Sequence, residues 1–202
     1  MKTKEVLFVI LDEYADWEAA SLAAALNEKP GKSEQKYCVK TVSLNKEPIS
    51  SIGGFRVLPD YTIDEIGDDF AGLILVGGNS WRREESEKVM ELLRKALDGN
   101  KVIGAICGAT VFLGMHGVLN DIDHTSNRLA DLKEAAGAAY TGEQRYLNQQ
   151  AVRCGNIITA NGTAPLEFSK EVMTALQSAP QPVVDKWYNY YKRGYYEFMK
   201  NK

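Results

Sequence analysis

A cysteine at a predicted strand–helix turn is the residue of this chain best suited to nucleophilic chemistry. Cys107 follows the β-branched apolar run Val102–Ile106, and the small residues Ala105 and Ala109 lie two positions to either side. This small-x-nucleophile-x-small spacing is typical of a nucleophile elbow, where a strand turns sharply into a helix. At the helix N-terminus, free backbone N–H groups and the helix dipole favour a thiolate. A buried cysteine without a chemical role fits the same pattern.

Main-chain donors near the thiol are expected from a glycine pair. Gly77 and Gly78 follow a short apolar run, and together with the N–H of Gly108 they are candidates for an oxyanion hole. Asn79 and Trp81 continue this loop. Trp81 either narrows the pocket to small substrates or packs near a helix start, and an ordinary loop with paired glycines is the alternative for the whole segment.

Glu18 is the candidate acid/base partner of the thiol. It lies in the first turn of a predicted helix, where acidic residues commonly complement the helix dipole. Next to Cys107 it would instead hold a proton and hydrogen-bond the thiolate. That role requires desolvation, or the negative sulfur, to raise the pKa of the carboxyl. Asp16 is expected to cap the same helix.

The chain has two histidines, which narrows the search for a general base. His124 lies in a polar segment after Cys107 and is the better candidate for a cysteine–histidine pair, because an imidazole can activate a thiol. Asp121 or Asp123 would orient it. His116 is expected near the end of the helix that follows Cys107, where it complements the helix C-terminus.

The elements that position these residues alternate along the chain. Apolar runs predict strands at residues 5–11, 37–44, 72–76 and 102–106, a hairpin at 49–58, and two strands within 151–160. Helices are predicted at 17–26, 86–97, 128–136, 165–176 and 183–199, and after Cys107. This alternation predicts an α/β fold with a mostly parallel sheet and helices on both faces. In such sheets ligands bind at the carboxyl ends of strands, where the three candidate loops lie.

Composition limits the possible functions. The 202 residues suit a single domain, 1–202, and a net charge of −3 argues against a nucleic-acid partner. The first apolar run is short and lacks a small-residue cleavage site, so we expect neither a signal peptide nor a membrane span. Three cysteines without paired spacing favour a reducing cytoplasm. No metal-ligand spacing, phosphate loop or dinucleotide fingerprint is present, so we expect no metal and no cofactor.

The predicted C-terminal helix, about residues 183–199, is rich in aromatic residues. One stripe, formed by Trp187, Tyr191 and Phe198, suits packing on the sheet. The remaining aromatic side chains indicate a surface for self-association, because exposed aromatic patches usually have a partner. We therefore predict a homodimer. Gly194 within the segment weakens the helix pattern.

Taken together, the Asp-Trp-Glu-Ala-Ala, Leu-Val-Gly-Gly-Asn, Ala-Ile-Cys-Gly-Ala and His-Thr-Ser-Asn segments resemble the ThiJ/PfpI family of the class I glutamine amidotransferase-like superfamily. The resemblance extends from about residue 4 to residue 176 and implies a flavodoxin-like, doubly wound fold. It also implies that Cys107 is the reactive cysteine and Glu18 its protonated carboxyl partner. Gly78 and Gly108 match the backbone donors, and His124 the nearby histidine.

The loop at 160–165, which contains Thr163, resembles the loop that lines the same pocket in relatives. Two departures from the family pattern matter. Protease-like members carry a histidine directly after the cysteine, where this chain has Gly108, so peptidase activity is not expected. Glutamine amidotransferases use a later histidine, and none follows His124.

Three hypotheses of function remain from the sequence. The first is a cysteine-dependent enzyme for a small molecule, a hydrolase or amidase or a glyoxalase-like enzyme, whose substrate is a reactive carbonyl compound or an amide. The second is a redox-sensing or stress-protective protein in which Cys107 is oxidised without turnover. Neither Cys38 nor Cys154 is an evident resolving thiol for it. The third is a binding module that has lost catalysis.

Overall fold

The computed structural model describes residues 3–28 and 35–200. Its strands are β1 (Lys4–Val9), β2 (Tyr37–Ser43), β3 (Ile49–Ser50), β4 (Arg56–Val57), β5 (Tyr61–Thr62), β6 (Gly72–Leu75), β7 (Val102–Ile106), β8 (Ala151–Cys154) and β9 (Ile157–Ala160). Its α-helices are α1 (Asp16–Asn27), α2 (Val89–Asp98), α3 (Gly108–Met115), α4 (Leu129–Ala136), α5 (Pro165–Leu176), α6 (Gln181–Arg193) and α7 (Tyr195–Met199).

Within the described ranges, seven strands form one sheet in the order β5-β2-β1-β6-β7-β9-β8. All neighbouring pairs are parallel except β8 and β9, which form an antiparallel hairpin at one edge. The central order β2-β1-β6-β7-β9 is the doubly wound arrangement of flavodoxin-like folds. The prediction of a mostly parallel α/β sheet is therefore confirmed.

Helices cover both faces of this sheet, which explains why its central strands are apolar throughout. One face packs against α1, α5 and α6, with Leu22, Phe168 and Val184 fully buried there. The opposite face packs against α2, α3 and α4, with Leu93 and Phe112 at its centre. A strand buried on both sides excludes water from both sets of side chains, and hence alternation with polar residues is lost.

The strand register brings the candidate loops to one edge of the sheet. Leu75 at the end of β6 pairs with Ala105 in β7, and Ile106 at the end of β7 pairs with Ala160 at the end of β9. Val9 at the end of β1 pairs with Leu75. The segments that leave these four strands therefore start side by side.

The C-terminal segment differs from the prediction of one helix over 183–199. It forms two helices, α6 and α7, because Gly194 has a φ of 78°, a conformation that interrupts helical hydrogen bonding and suits glycine. Helix α6 packs against α5 and not chiefly on the sheet. Trp187 reaches the core in part, whereas Tyr191 is half exposed. The homodimer stays a prediction.

Smaller differences concern the ends of elements. The segment predicted as a helix over 86–97 begins as a 3-10 turn, Glu84–Lys88, before α2. The hairpin at 49–58 forms as β3 and β4, but in a separate two-stranded sheet, and the short edge strand β5 was not predicted. None of the helices formed by residues 3–28 and 35–200 has the length and apolar character needed to cross a bilayer.

Candidate active site

Cys107 occupies the predicted elbow between β7 and α3. Its backbone has a φ of 56° and a ψ of −125°, a conformation that non-glycine residues adopt rarely and at a cost. The N–H of Cys107 donates to the carbonyl of Ala160 at 2.9 Å, which ties the turn to the neighbouring strand β9. Ala105 and Ala109 are both fully buried. Small residues are required here because the turn is packed tightly on every side.

Glu18 lies beside the thiol at the start of α1 and is buried, with 1% of its surface exposed. A Cβ added to Gly77 would lie 2.0 Å from Oε2 of Glu18 and 2.6 Å from Cβ of Cys107. A Cβ added to Gly162 would lie 2.8 Å from Oε1 of Glu18 and 3.0 Å from Sγ of Cys107. Two glycines thus make room for the carboxyl and the thiol to meet.

Burial raises the pKa of Glu18 to about 7, while the Cys107 thiol and the Gly77 N–H lie close enough to lower it. Neither carboxyl oxygen, however, has a partner at full hydrogen-bond geometry. Burial first, and then the negative charge of Glu18, raise the pKa of Cys107 to about 11. The two groups share one environment and titrate as a pair. Between about pH 7 and about pH 11 the pair of Glu18 and Cys107 therefore holds one proton.

Asn127 is a candidate functional residue that was not predicted from the sequence. Its Nδ2 donates to Sγ of Cys107 at 3.2 Å, and its Oδ1 accepts from the N–H of Gly162 at 2.8 Å. The contact lowers the pKa of Cys107, against the larger effects of burial and of Glu18. Asn127 ends the His-Thr-Ser-Asn segment, and it is this side chain, not His124, that contacts the sulfur.

We expect Asn127→Leu to raise the pKa of Cys107 by about 1 unit, because a hydrogen bond to a charged group contributes about 1.5–3 kcal/mol. Asn127→Asp retains an acceptor for Gly162 but adds a negative charge, and should raise the pKa further. The midpoint of Cys107 alkylation against pH, followed by peptide mass spectrometry, measures both. An unchanged midpoint in both variants would mean that the contact does not stabilise the thiolate.

His124 does not form the predicted pair with Cys107. The ring is completely buried, its Nδ1 lies 2.8 Å from the carbonyl oxygen of Ile122, and its Nε2 lies 2.7 Å from the hydroxyl of Tyr140. Burial lowers the pKa of His124. Both ring nitrogens are thus committed to structural contacts. Asp123, a predicted orienting residue, lies beside Arg145 instead.

His116 takes the structural place that was expected for it. It is the C-terminal cap residue of α3, its ring packs edge-on against Phe112, and its Nε2 lies 3.4 Å from a carboxylate oxygen of Glu87. No imidazole within residues 3–28 and 35–200 makes a hydrogen bond to the thiol. Glu18 is therefore the remaining candidate for the group that accepts the proton of Cys107.

The predicted oxyanion donors divide between two roles. The N–H of Gly77 faces Glu18, whereas the N–H of Gly108 faces the sulfur. Gly78 and Tyr14 form a non-hydrogen-bonded antiparallel pair. In such a pair the N–H and C=O groups of both residues point away from each other, so the N–H of Gly78 is not used in this bridge. A Cβ on Gly108 would lie 2.4 Å from the Gly78 carbonyl oxygen, so these glycines are in close contact. The N–H groups of Gly78 and Gly108 remain the candidate donors.

Two recesses open on the thiol. One, of about 340 Å³, contains Cys107 and is lined by Gly78, Asn79, Trp81, Arg82, Gly108, Val111, Asn127 and Asp131. The other, of about 520 Å³, contains Cys107 and is lined by Trp17, Glu18, Asn127, Asn161, Gly162 and Thr163. Cys107 and Asn127 thus line both recesses.

Trp81 and Thr163 have roles more limited than those expected. Trp81 is buried, its indole N–H donates to the Val76 carbonyl at 2.7 Å, and its ring packs on Phe112, so it is a wall and not a lid. The hydroxyl of Thr163 donates to Oδ1 of Asn161 at 2.7 Å and shapes its loop. Asp16 does not cap α1; it accepts from the N–H of Gly53 at 2.9 Å.

No cluster of three or more histidine, cysteine, aspartate or glutamate side chains suited to a metal ion occurs in the described part of the chain. The polar groups that act directly on the Cys107 thiol are one carboxyl, one carboxamide and a backbone N–H group. This set suits an attack by sulfur on an electrophilic carbon with stabilisation of a developing oxyanion.

The fold and the site together define a flavodoxin-like α/β protein with a strained cysteine elbow beside a buried glutamate. The chain belongs to the DJ-1/PfpI family, whose family model matches residues 4–175. This membership confirms the resemblance found in the sequence.

Three relatives illustrate the range of the family. The chain is 38% identical over 196 residues to a Bacillus subtilis (strain 168) protein described as uncharacterized protease YdeA, covering 96% of this chain and 94% of that one. The crystal structure of a ThiJ/PfpI family protein from Bacillus anthracis superposes with a TM-score of 0.88 at 36% identity, covering 98% of this chain and 95% of that chain. A Caenorhabditis elegans protein, glutathione-independent glyoxalase DJR-1.2, is 23% identical over 134 residues, 65% of this chain and 69% of that one.

Proposed function

We propose that this protein is a cysteine-dependent enzyme that converts small 2-oxoaldehydes into 2-hydroxy acids, a glyoxalase-like activity. The observation that carries the proposal is the buried carboxyl of Glu18 beside the Cys107 thiol, with a pKa of about 7. A base with a pKa near the working pH transfers protons most effectively. Glu18 can therefore serve each proton transfer that this reaction requires.

The proposed reaction begins when Sγ of Cys107 attacks the aldehyde carbon and Glu18 accepts the thiol proton. The N–H groups of Gly78 and Gly108 stabilise the oxyanion, which then takes the proton from Glu18. Glu18 next removes the hydrogen of this carbon as a proton and returns it to the adjacent ketone carbon, while the hydroxyl proton of the first carbon passes to the ketone oxygen. The first carbon is thereby oxidised to a thioester and the second reduced to an alcohol. Water cleaves the C–S bond, which releases the 2-hydroxy acid and restores the thiol.

The names of the relatives bear on this proposal in different ways. The glyoxalase from Caenorhabditis elegans supports it, although its identity to this chain is low. The protease name of the Bacillus subtilis relative suggests hydrolysis of peptides. Against peptidase activity, the residue after the nucleophile is Gly108, and His124 is committed elsewhere. Amide hydrolysis of small molecules, which uses the same nucleophile, is the activity to test beside glyoxalase chemistry.

The test is turnover of methylglyoxal and of a panel of small amides by the purified protein and by Cys107→Ser. We expect formation of lactate by the wild type and a loss of about 10³-fold or more in the variant, since a serine hydroxyl is hardly ionised at neutral pH. Cys154→Ser, a change at the edge strand β8, is the matched control and should retain full activity. Amide turnover without lactate would move the assignment to an amidase.

One observation supports the hypothesis of a redox-sensing protein. Cys38 contacts the Lys4 carbonyl, and Cys154 pairs with Ile157 at the far end of the β8–β9 hairpin, so neither lies at the site of Cys107. Oxidation of Cys107 would therefore stop at the sulfenic or sulfinic acid. Dilute peroxide that modifies Cys107 alone, in a protein that turns over no substrate, would favour this second function.

A further inference from the structure

Two charged side chains line one of the two recesses at Cys107. Arg82 and Asp131 both line the recess of about 340 Å³ that contains Cys107. Arg128 donates to both carboxylate oxygens of Asp131, from Nε at 2.8 Å and from Nη2 at 2.6 Å. This bidentate contact holds the pKa of Asp131 below its usual range, with a small further contribution from Arg82. The negative charge of Asp131 is thus offset before any ligand binds.

Arg82 itself is left available. It is exposed at the rim, and within residues 3–28 and 35–200 it makes no hydrogen bond or ion pair. The next residue, Arg83, differs in this respect because its Nη2 lies 3.2 Å from a carboxylate oxygen of Glu13. The buried Trp81 anchors the loop through its bond to the Val76 carbonyl, which holds the backbone of Arg82 at the rim of the recess.

The charges around the thiol are also segregated. Glu18 lines the other recess and not this one. The charged side chains that line the recess next to Arg82 are Arg82 itself and Asp131, and Asp131 is neutralised by Arg128, which lies outside the lining. The positive charge of Arg82 is therefore left in excess. An excess of positive charge in a concave site attracts anions. A guanidinium at the rim is well suited to bind a carboxylate.

We propose that Arg82 binds an anionic group of the substrate, so that the enzyme favours 2-oxoaldehydes that carry a carboxylate over neutral ones. This inference rests on the proposed function, because the part of the substrate that reacts is the same 2-oxoaldehyde group. The aldehyde carbon lies at Sγ of Cys107 while the carboxylate reaches Arg82 at the rim.

The first experiment needs no turnover. Iodoacetate and iodoacetamide alkylate a thiol in the same way: the C–S bond forms, iodide leaves, and the thiol proton passes to the base or to solvent. They differ in one negative charge. We expect the rate with iodoacetate divided by the rate with iodoacetamide at Cys107 to fall about 3- to 10-fold in Arg82→Met, as for an exposed ion pair. This difference between the wild type and the variant should shrink at high salt.

Arg83→Met is the matched control, since it removes a neighbouring arginine that lies outside the recess. An equal fall of the ratio in both variants, or no fall in Arg82→Met, would overturn the role of Arg82. Arg82→Lys should recover part of the ratio, because the charge remains while the planar fork is lost. Circular dichroism of each variant checks that the fold is retained.

The second experiment compares turnover of 4,5-dioxopentanoate and methylglyoxal, two 2-oxoaldehydes with and without a carboxylate. We expect Arg82→Met to raise KM for the first about 3- to 10-fold and to leave KM for the second unchanged. Equal effects on both would overturn the specificity. Absence of turnover of either compound by the wild type would refute the proposed function, while the alkylation ratios would still decide the role of Arg82.

Discussion

Glu18→Gln is expected to abolish turnover and at the same time to make Cys107 easier to alkylate at pH 9. Turnover is lost because an amide cannot accept the proton of the attacking thiol, and loss of a general base lowers rates about 10²- to 10⁴-fold. Alkylation becomes faster because the negative charge of Glu18 is one of the causes that raise the pKa of Cys107 to about 11. The two readouts therefore move in opposite directions.

The pH dependence follows from the direction of the two shifts. Below about pH 7 the carboxyl of Glu18 is protonated and neutral, so the substitution should change alkylation little. Above about pH 7 the wild-type carboxylate opposes ionisation of the thiol, and removing a like charge at this distance lowers a pKa by about 1–2 units. At pH 9 alkylation of the variant should be about 10-fold or more faster. Wild-type turnover should rise through about pH 7, where Glu18 becomes a base.

The measurement is the rate of iodoacetamide alkylation at Cys107 from pH 6 to pH 10, beside turnover of methylglyoxal. Glu13→Gln is the control, because this exposed carboxylate pairs with Arg83 and does not line either recess. Slower alkylation of Glu18→Gln at pH 9 would contradict the expectation. It would mean that a protonated Glu18 stabilises a preformed thiolate by donating a hydrogen bond to it.

Gly77→Ala is expected to destabilise the fold by about 3 kcal/mol, at the upper end of the usual cost of overpacking. The added Cβ would lie 2.0 Å from Oε2 of Glu18, 2.6 Å from Cβ of Cys107 and 2.8 Å from the backbone oxygen of Ile106. Two of these three atoms are held by the elbow, which has little freedom to move. The carboxyl must therefore be displaced, and activity should be lost together with stability.

Thermal unfolding measures the effect, and a loss of about 3 kcal/mol corresponds to a fall in Tm of about 6–12 °C for a domain of this size. Gly67→Ala is the matched control: this exposed glycine has nothing within 4 Å of an added Cβ. It should leave Tm unchanged or raise it slightly, because alanine restricts the unfolded chain. An equal effect of both substitutions would show that close packing around Gly77 is not the cause.

Much of the architecture could be read from local pattern. Apolar runs such as β6 and β7 indicated strands that are buried on both faces, and their alternation with helices predicted a doubly wound sheet. The elbow at Cys107 was predicted because its neighbours must be small, and it is confirmed by the φ of 56°. These properties depend on residues adjacent in the chain, so they are visible in the sequence.

The C-terminal segment shows where local pattern is insufficient. Aromatic spacing predicted one helix with a stripe on the sheet, but Gly194 separates α6 from α7, and α6 packs on α5. A lone glycine costs only about 1 kcal/mol in a helix, and tertiary contacts decide whether the helix continues. The surface on which α6 packs likewise depends on where α5 lies in the folded protein.

The sequence by itself determined the sheet, the cysteine elbow and the candidate carboxyl, because each follows from residue type and short-range spacing. Only the tertiary structure decided which polar side chains reach the sulfur. His124 and Asn127 are three positions apart, yet the histidine binds Ile122 and Tyr140 while the asparagine binds Cys107. Spacing along a loop does not specify the direction of a side chain. That direction is determined by which buried polar groups must satisfy one another in the packed structure.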